Sequence, residues 1–137
     1  MKPVLLLALG DAERCQVNRQ YLGEHGYEVI TSADGLDCVQ KVRKHRPDVV
    51  VLDLELRWGG GDGVLALLRE EGGTLPPVVL TAPGTASGRL LELCGPPVVH
   101  FLVHPFPLPL LLDSIRSALS EGRPAKRGST LFLDSCA

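Results

Sequence analysis

Aromatic residues are scarce in this chain, at 4% of 137 residues. Any core must therefore be aliphatic, and the 45% apolar share is ordinary for a globular protein. An excess of charge of one sign is also missing: the formal net charge is −2, which offers no electrostatic footprint for nucleic acid. Cys15, Cys38, Cys94 and Cys136 are scattered and form no CxxC pair. A zinc site or disulfide framework is not indicated, and reduced thiols in the cytoplasm are the expectation. No apolar run is long enough to span a bilayer. The run Val4–Leu9 after Lys2 is followed at once by Asp11, Glu13 and Arg14, which argues against a signal peptide. The glycine-rich stretch Arg57–Gly63 has no Gly-Lys-Ser/Thr after it, and no Gly-x-Ser-x-Gly occurs, so neither a phosphate loop nor a nucleophile elbow is present. No internal repeat is visible, and the length suits one domain with one core.

What the chain does have centres on Pro47–Leu54. Val49–Leu52 is an unbroken aliphatic run, the pattern of a strand buried on both faces of a parallel sheet. Pro47 is tolerated at a strand start. Asp53 ends the run and belongs at the strand's C-terminal edge, where open α/β sheets bind ligands. The alternative is that Asp53 only starts a turn.

On either side, strands and helices alternate. Val4–Leu9 is a first strand, and Asp11 can cap a helix over Ala12–His25, with Val17, Tyr21 and Leu22 as its apolar stripe. Gly26 stops that helix. Tyr27–Thr31 is a second strand. A helix over Leu36–His45 follows, with Leu36, Val39, Val42 and Arg43 spaced for packing and a basic end that suits its dipole. The central strand is Val49–Asp53. Arg57–Gly63 is expected to be a flexible loop with Trp58 exposed, leading to a short helix Val64–Glu71. Val78–Thr81 is the fourth strand, Ala86–Cys94 a weak helix, Val98–Val103 the fifth strand and Leu108–Leu119 the last helix. In that helix Leu108, Leu111, Leu112, Ile115 and Leu119 should face the sheet, leaving Leu110 outside. The result is a doubly wound, three-layer α/β/α sandwich on a five-stranded parallel sheet. Residues 1–121 form the domain, and 122–137 are a polar, basic linker or tail carrying Leu131, Phe132 and Leu133.

In this order of elements the chain resembles the receiver domain of two-component response regulators over about Lys2–Glu121. His25-Gly26-Tyr27-Glu28-Val29, Ser32-Ala33-Asp34-Gly35, Pro47-Asp48-Val49-Val50-Val51-Leu52-Asp53, Val79-Leu80-Thr81-Ala82 and Phe101-Leu102-Val103-His104-Pro105-Phe106 carry the resemblance. It implies a flavodoxin-like strand order of 2-1-3-4-5. It also implies Asp53 as phosphoacceptor, Thr81 as the hydroxyl residue, Phe101 as the switch residue and His104 where the family has lysine. The family's acidic pair, counted back without gaps from Gly26-Tyr27, falls on Leu9 and Gly10, or on Gly10 and Asp11 with a one-residue shift. At most one carboxylate of the pair is left. The loop after Asp53 also departs from the family's usual Pro-Gly turn.

These departures imply weak magnesium binding, by Asp53 with Asp11 or Glu55. Asp11 serves equally well as a helix cap, and Glu55 as a solvated loop residue. A carboxylate near His104 is expected to raise its pKa. Two readings follow from the resemblance. The first is a non-enzymatic signalling module with a degenerate acidic pocket, working by protein–protein contact with weak or no phosphate dependence. The second is a working phosphoacceptor, phosphorylated on Asp53 by a histidine kinase. The implied partners are a histidine kinase or phosphotransfer protein and an output protein. Leu90, Leu91, Phe101 and Leu110 form a candidate interface for that output protein or for a homodimer.

Overall fold

The structure, a computed structural model, describes residues 2–93 and 95–121, leaving aside the side chains of Ala86, Ser87, Leu90, Leu91 and Glu121. Its elements in order are β1 (Val4–Ala8), α1 (Ala12–Glu24), β2 (Glu28–Ser32), α2 (Gly35–His45), β3 (Val49–Asp53), α3 (Gly60–Glu71), β4 (Val78–Pro83), a 3-10 turn Gly84–Ala86, α4 (Ser87–Glu92), β5 (Val98–His104) and α5 (Leu108–Glu121). The five strands are parallel in the order β2-β1-β3-β4-β5, as the resemblance implied.

The aliphatic strands divide the interior by their period of two. Leu5, Leu7, Val49, Val51 and Val79 point to one face, where Leu22 of α1 and Leu111, Leu112, Ile115 and Ala118 of α5 cover them. Leu6, Ala8, Val50, Leu52, Val78, Leu80 and Ala82 point to the other, under Cys38, Val39 and Val42 of α2 and Val64, Leu65 and Leu68 of α3. Among the described residues Tyr27 is the one aromatic in the buried apolar set, so the core is aliphatic as the composition requires. Every residue of β3 is buried, because the strand is central and covered on both faces.

Three expectations are corrected. Val17 is 56% exposed, and α1 packs through Asn18 and Leu22, with Tyr21 partly buried against the same core, rather than through a stripe that includes Val17. Leu36 is 63% exposed, and Cys38 takes its place against the core. Burial pushes the Cys38 thiol up to about 12, so it packs as a small apolar side chain. Finally, Gly60–Gly63 is the first turn of α3 and not a flexible loop.

That last difference has a steric cause. Gly59 and Gly60 have positive φ, and a Cβ on Gly61 would lie 2.7 Å from the Asp53 carbonyl oxygen. The glycines let α3 begin directly against the end of β3, with the Gly61 N–H bonded to the Leu54 carbonyl at 3.1 Å. Trp58, in the turn before, is 78% exposed and holds φ 60°, a left-handed conformation unusual for its type. Cys94 and the tail 122–137, with Leu131–Leu133 and Cys136, lie outside the described residues.

Gly61→Ala should destabilise the domain by about 1–3 kcal/mol through overpacking against Asp53 and Leu54. Gly63→Ala, where a Cβ meets nothing within 4 Å, should be neutral or stabilising. Urea denaturation of the two variants compares them directly. Equal midpoints would show that the contact with β3 does not constrain the loop.

Candidate functional site

The C-terminal ends of β3, β4 and β5 meet the first turn of α1. Asp53 is 3% exposed and Thr81 is its register partner on β4. The Leu54 N–H donates to the Thr81 carbonyl at 2.8 Å, which locks the two strand ends together. The Glu55 N–H donates to Asp53 Oδ1 at 3.2 Å. His104, at the end of β5, brings Nε2 to 3.7 Å from Asp53 Oδ1. Its ring stacks on Phe106, with centroids 5.2 Å apart.

A residue that the sequence did not mark completes the site. Arg14 places Nη1 at 3.9 Å from Asp53 Oδ2 and 3.3 Å from His104 Nε2. A unit-charge pair about 4 Å apart is worth roughly 4 kcal/mol at an effective dielectric near 20. Solvent around the Arg14 side chain, 39% exposed, reduces that figure. Since a guanidinium only donates, the contact with Arg14 uses His104 Nε2 as acceptor, in the tautomer that carries its proton on Nδ1. The signal for Arg14 was its spacing: it stands four residues before Asn18 and eight before Leu22, the buried residues of α1. Tracing that face toward the helix start leads to the sheet edge.

Asp11 accepts the Glu13 and Arg14 N–H groups on Oδ1 at 2.9 and 3.1 Å and so caps α1. Its carboxylate is exposed, as is Glu55. Among the described residues no group of three or more His, Cys, Asp or Glu is arranged to hold a metal ion. Thr81 Oγ1 is buried without a hydrogen-bond partner among the described residues, so it is a hydroxyl available to an acceptor placed at Asp53. Phe101 is partly buried and packs against the core under α2 and α3. Leu110 is 44% exposed, as is Val103 at 41%, while Leu90 and Leu91 lie outside the described side chains. A groove of about 580 Å³ runs beside the site between α1 and the start of α5, lined by Asp11, Arg14, Asn18, His104 and Phe106 among others.

The description "Response regulator receiver domain" matches residues 10–116. The chain belongs to the response regulator receiver family. It is 36% identical over 106 residues to response regulator MprA of Mycobacterium leprae, covering 77% of this chain and 46% of that protein. Against MprA of Mycobacterium sp. strain KMS it is 33% identical over 123 residues, covering 89% and 53%. The chain thus spans about half the length of the curated relatives it matches. Two solved structures share its fold. The receiver domain of Francisella response regulator 1452 has a TM-score of 0.81 at 20% identity, covering 89% of this chain and all of that one. Chemotaxis protein CheY4 of Vibrio cholerae has a TM-score of 0.72 at 21% identity, covering 86% and 99%. Among the described residues of this receiver domain no helix is long and apolar enough to cross a membrane.

The expected rise in the His104 pKa is corrected. Desolvation by burial first, and then the Arg14 charge, hold it below the ordinary value of 6.5, against the opposite pull of Asp53 and Glu55. The unfolded chain takes up a proton at this histidine near pH 6.5, before the folded one does. Between the two pKa values the unfolded state binds more protons, so this group's contribution to stability is full above about pH 6.5 and falls as the pH drops through it. The stability advantage of the parent over His104→Gln should therefore shrink from about pH 8 to about pH 5.5 in urea melts. NMR titration of the imidazole gives the direct check, and a midpoint at or above the ordinary value would overturn the assignment.

Proposed function

We propose that this receiver domain relays signals by protein–protein contact, with weak or no dependence on phosphorylation of Asp53, and is not itself an enzyme. The observation that carries the reading is the closure of Arg14 and His104 over a single buried carboxylate. Phosphoryl transfer to an aspartate needs that carboxylate free as nucleophile and a cation on the phosphoryl oxygens. Here Asp53 already faces a guanidinium, and His104, which stands at the lysine position, has its pKa held below the ordinary value. The donor set also suits magnesium poorly, since it offers one buried carboxylate beside a positive charge, with Asp11 engaged in capping. Any magnesium binding would be weak.

The second reading, a phosphoacceptor that takes its phosphoryl group from a histidine kinase or phosphotransfer protein, is favoured by the unpartnered Thr81 hydroxyl opposite Asp53. The MprA relatives are named response regulators, and that likeness supports an output protein as a further partner and a cytoplasmic location. Nothing in the charge of the chain supports a nucleic-acid partner.

Acetyl phosphate labelling with magnesium, read by phosphate-affinity electrophoresis, separates the two readings. The parent should show little phosphoprotein, and beryllofluoride should cause no saturable change in its amide spectrum. Near-complete labelling that is lost in Asp53→Asn would sink the first reading and leave the second.

The contact surface proposed is the face of α4, β5 and α5 that displays Leu110 and Val103, for an output protein or a second copy. In the homodimer version, Leu110→Glu should lower the sedimentation coefficient of the parent. A parent that is already monomeric removes that version.

A further inference from the structure

We propose that Arg14 takes the place of a divalent cation as the counter-charge of Asp53, so that the pocket is neutralised from within the chain and disfavours magnesium. This rests on the reading of the pocket given above and names the residue responsible. The guanidinium does not approach Asp53 by chance of a long side chain. Its backbone is fixed in the first turn of α1, where its own N–H bonds to the Asp11 cap at 3.1 Å. Its helix face is set by the burial of Asn18 and Leu22 below it. Its Nη1 has a second anchor in His104 Nε2 at 3.3 Å.

The missing acid is not forced by sterics. Gly10, at the acid-pair position under either count, has no positive φ, and a Cβ there would meet only the Glu55 carbonyl oxygen, at an ordinary 3.7 Å. The backbone accepts an aspartate at this place. The chain instead has glycine at position 10 and a guanidinium 3.9 Å from Asp53 Oδ2. A divalent ion bound to that carboxylate would sit within a few ångströms of a fixed positive charge, with part of its attraction to Asp53 already cancelled.

The test separates a missing ligand from an opposing charge. Magnesium is titrated into the parent, Gly10→Asp, Arg14→Met, and Gly10→Asp combined with Arg14→Met or with Arg14→Lys. The reporter is the Glu55 amide, which donates to Asp53 Oδ1. Gly10→Asp with Arg14→Met should bind magnesium at least about tenfold more tightly than Gly10→Asp alone. Gly10→Asp with Arg14→Lys keeps the charge and should stay near Gly10→Asp alone. Thermal melts establish that each variant is folded, and Arg14→Gln supplies the neutral side chain if the methionine variant is not. Equal affinity with and without the charge at position 14 would overturn the inference. So would a lysine variant that binds as tightly as the methionine one. Those results leave the phosphorylation reading untouched, because that reading fails only through labelling or beryllofluoride binding of the parent.

Discussion

The organisation of this domain depends on one buried charge. Asp53 is 3% exposed at the end of a strand in which every residue is buried. A carboxylate removed from water is costly unless it is paired and hydrogen-bonded. The chain meets that requirement from two directions, with the Glu55 N–H on Oδ1 and the Arg14 guanidinium toward Oδ2. These groups belong to the loop after β3 and to α1, and His104 of β5 joins the cluster through Arg14. The need to compensate Asp53 therefore ties the strand ends to the first helix. Burial first, and then the Arg14 charge beside it, hold the His104 pKa below its ordinary value.

The glycine-rich turn serves the same place from the other side. With no side chains at Gly60 and Gly61, α3 can start against the Asp53 and Leu54 backbone. Gly35 does the equivalent for α2, where its N–H bonds to the Arg57 carbonyl at 2.7 Å and leaves no room for a Cβ. The loop that read as a flexible spacer is thus held by close backbone contact. Trp58, with left-handed φ, is displayed on its outside.

Much of this was legible in the sequence, and the reasons are specific. β3 and Asp53 stood out because an uninterrupted aliphatic run between Pro47 and an acid has few other readings. Thr81 and His104 were marked by the family resemblance. The buried face of α5 was legible because its leucines and isoleucine keep helical spacing, and Leu110 is outside as the spacing required. In α1 the same reasoning failed. Its apolar residues are few, and the face that packs is marked by Asn18 and Leu22 rather than by Val17. Leu36 misled in the same way, because Cys38 was small enough to take the core position. The start of α3 was missed because glycines normally signal a loop, and only the approach of β3 shows why a helix needs them there.

The sequence by itself determined the alternation of strands and helices, the aliphatic two-faced core, and the carboxylate, hydroxyl and imidazole at the three strand ends. These follow from local pattern, since burial period and chain-breaking residues act over a few positions. The tertiary structure alone decided the electrostatic state of the site. Arg14 is 39 positions from Asp53 and 90 from His104 in the chain, and no local pattern couples them. Only the packing of α1 beside β3 and β5 brings the guanidinium to both. Coulomb energy depends on that separation in space, so the same residues at other distances would have left Asp53 without a guanidinium beside it.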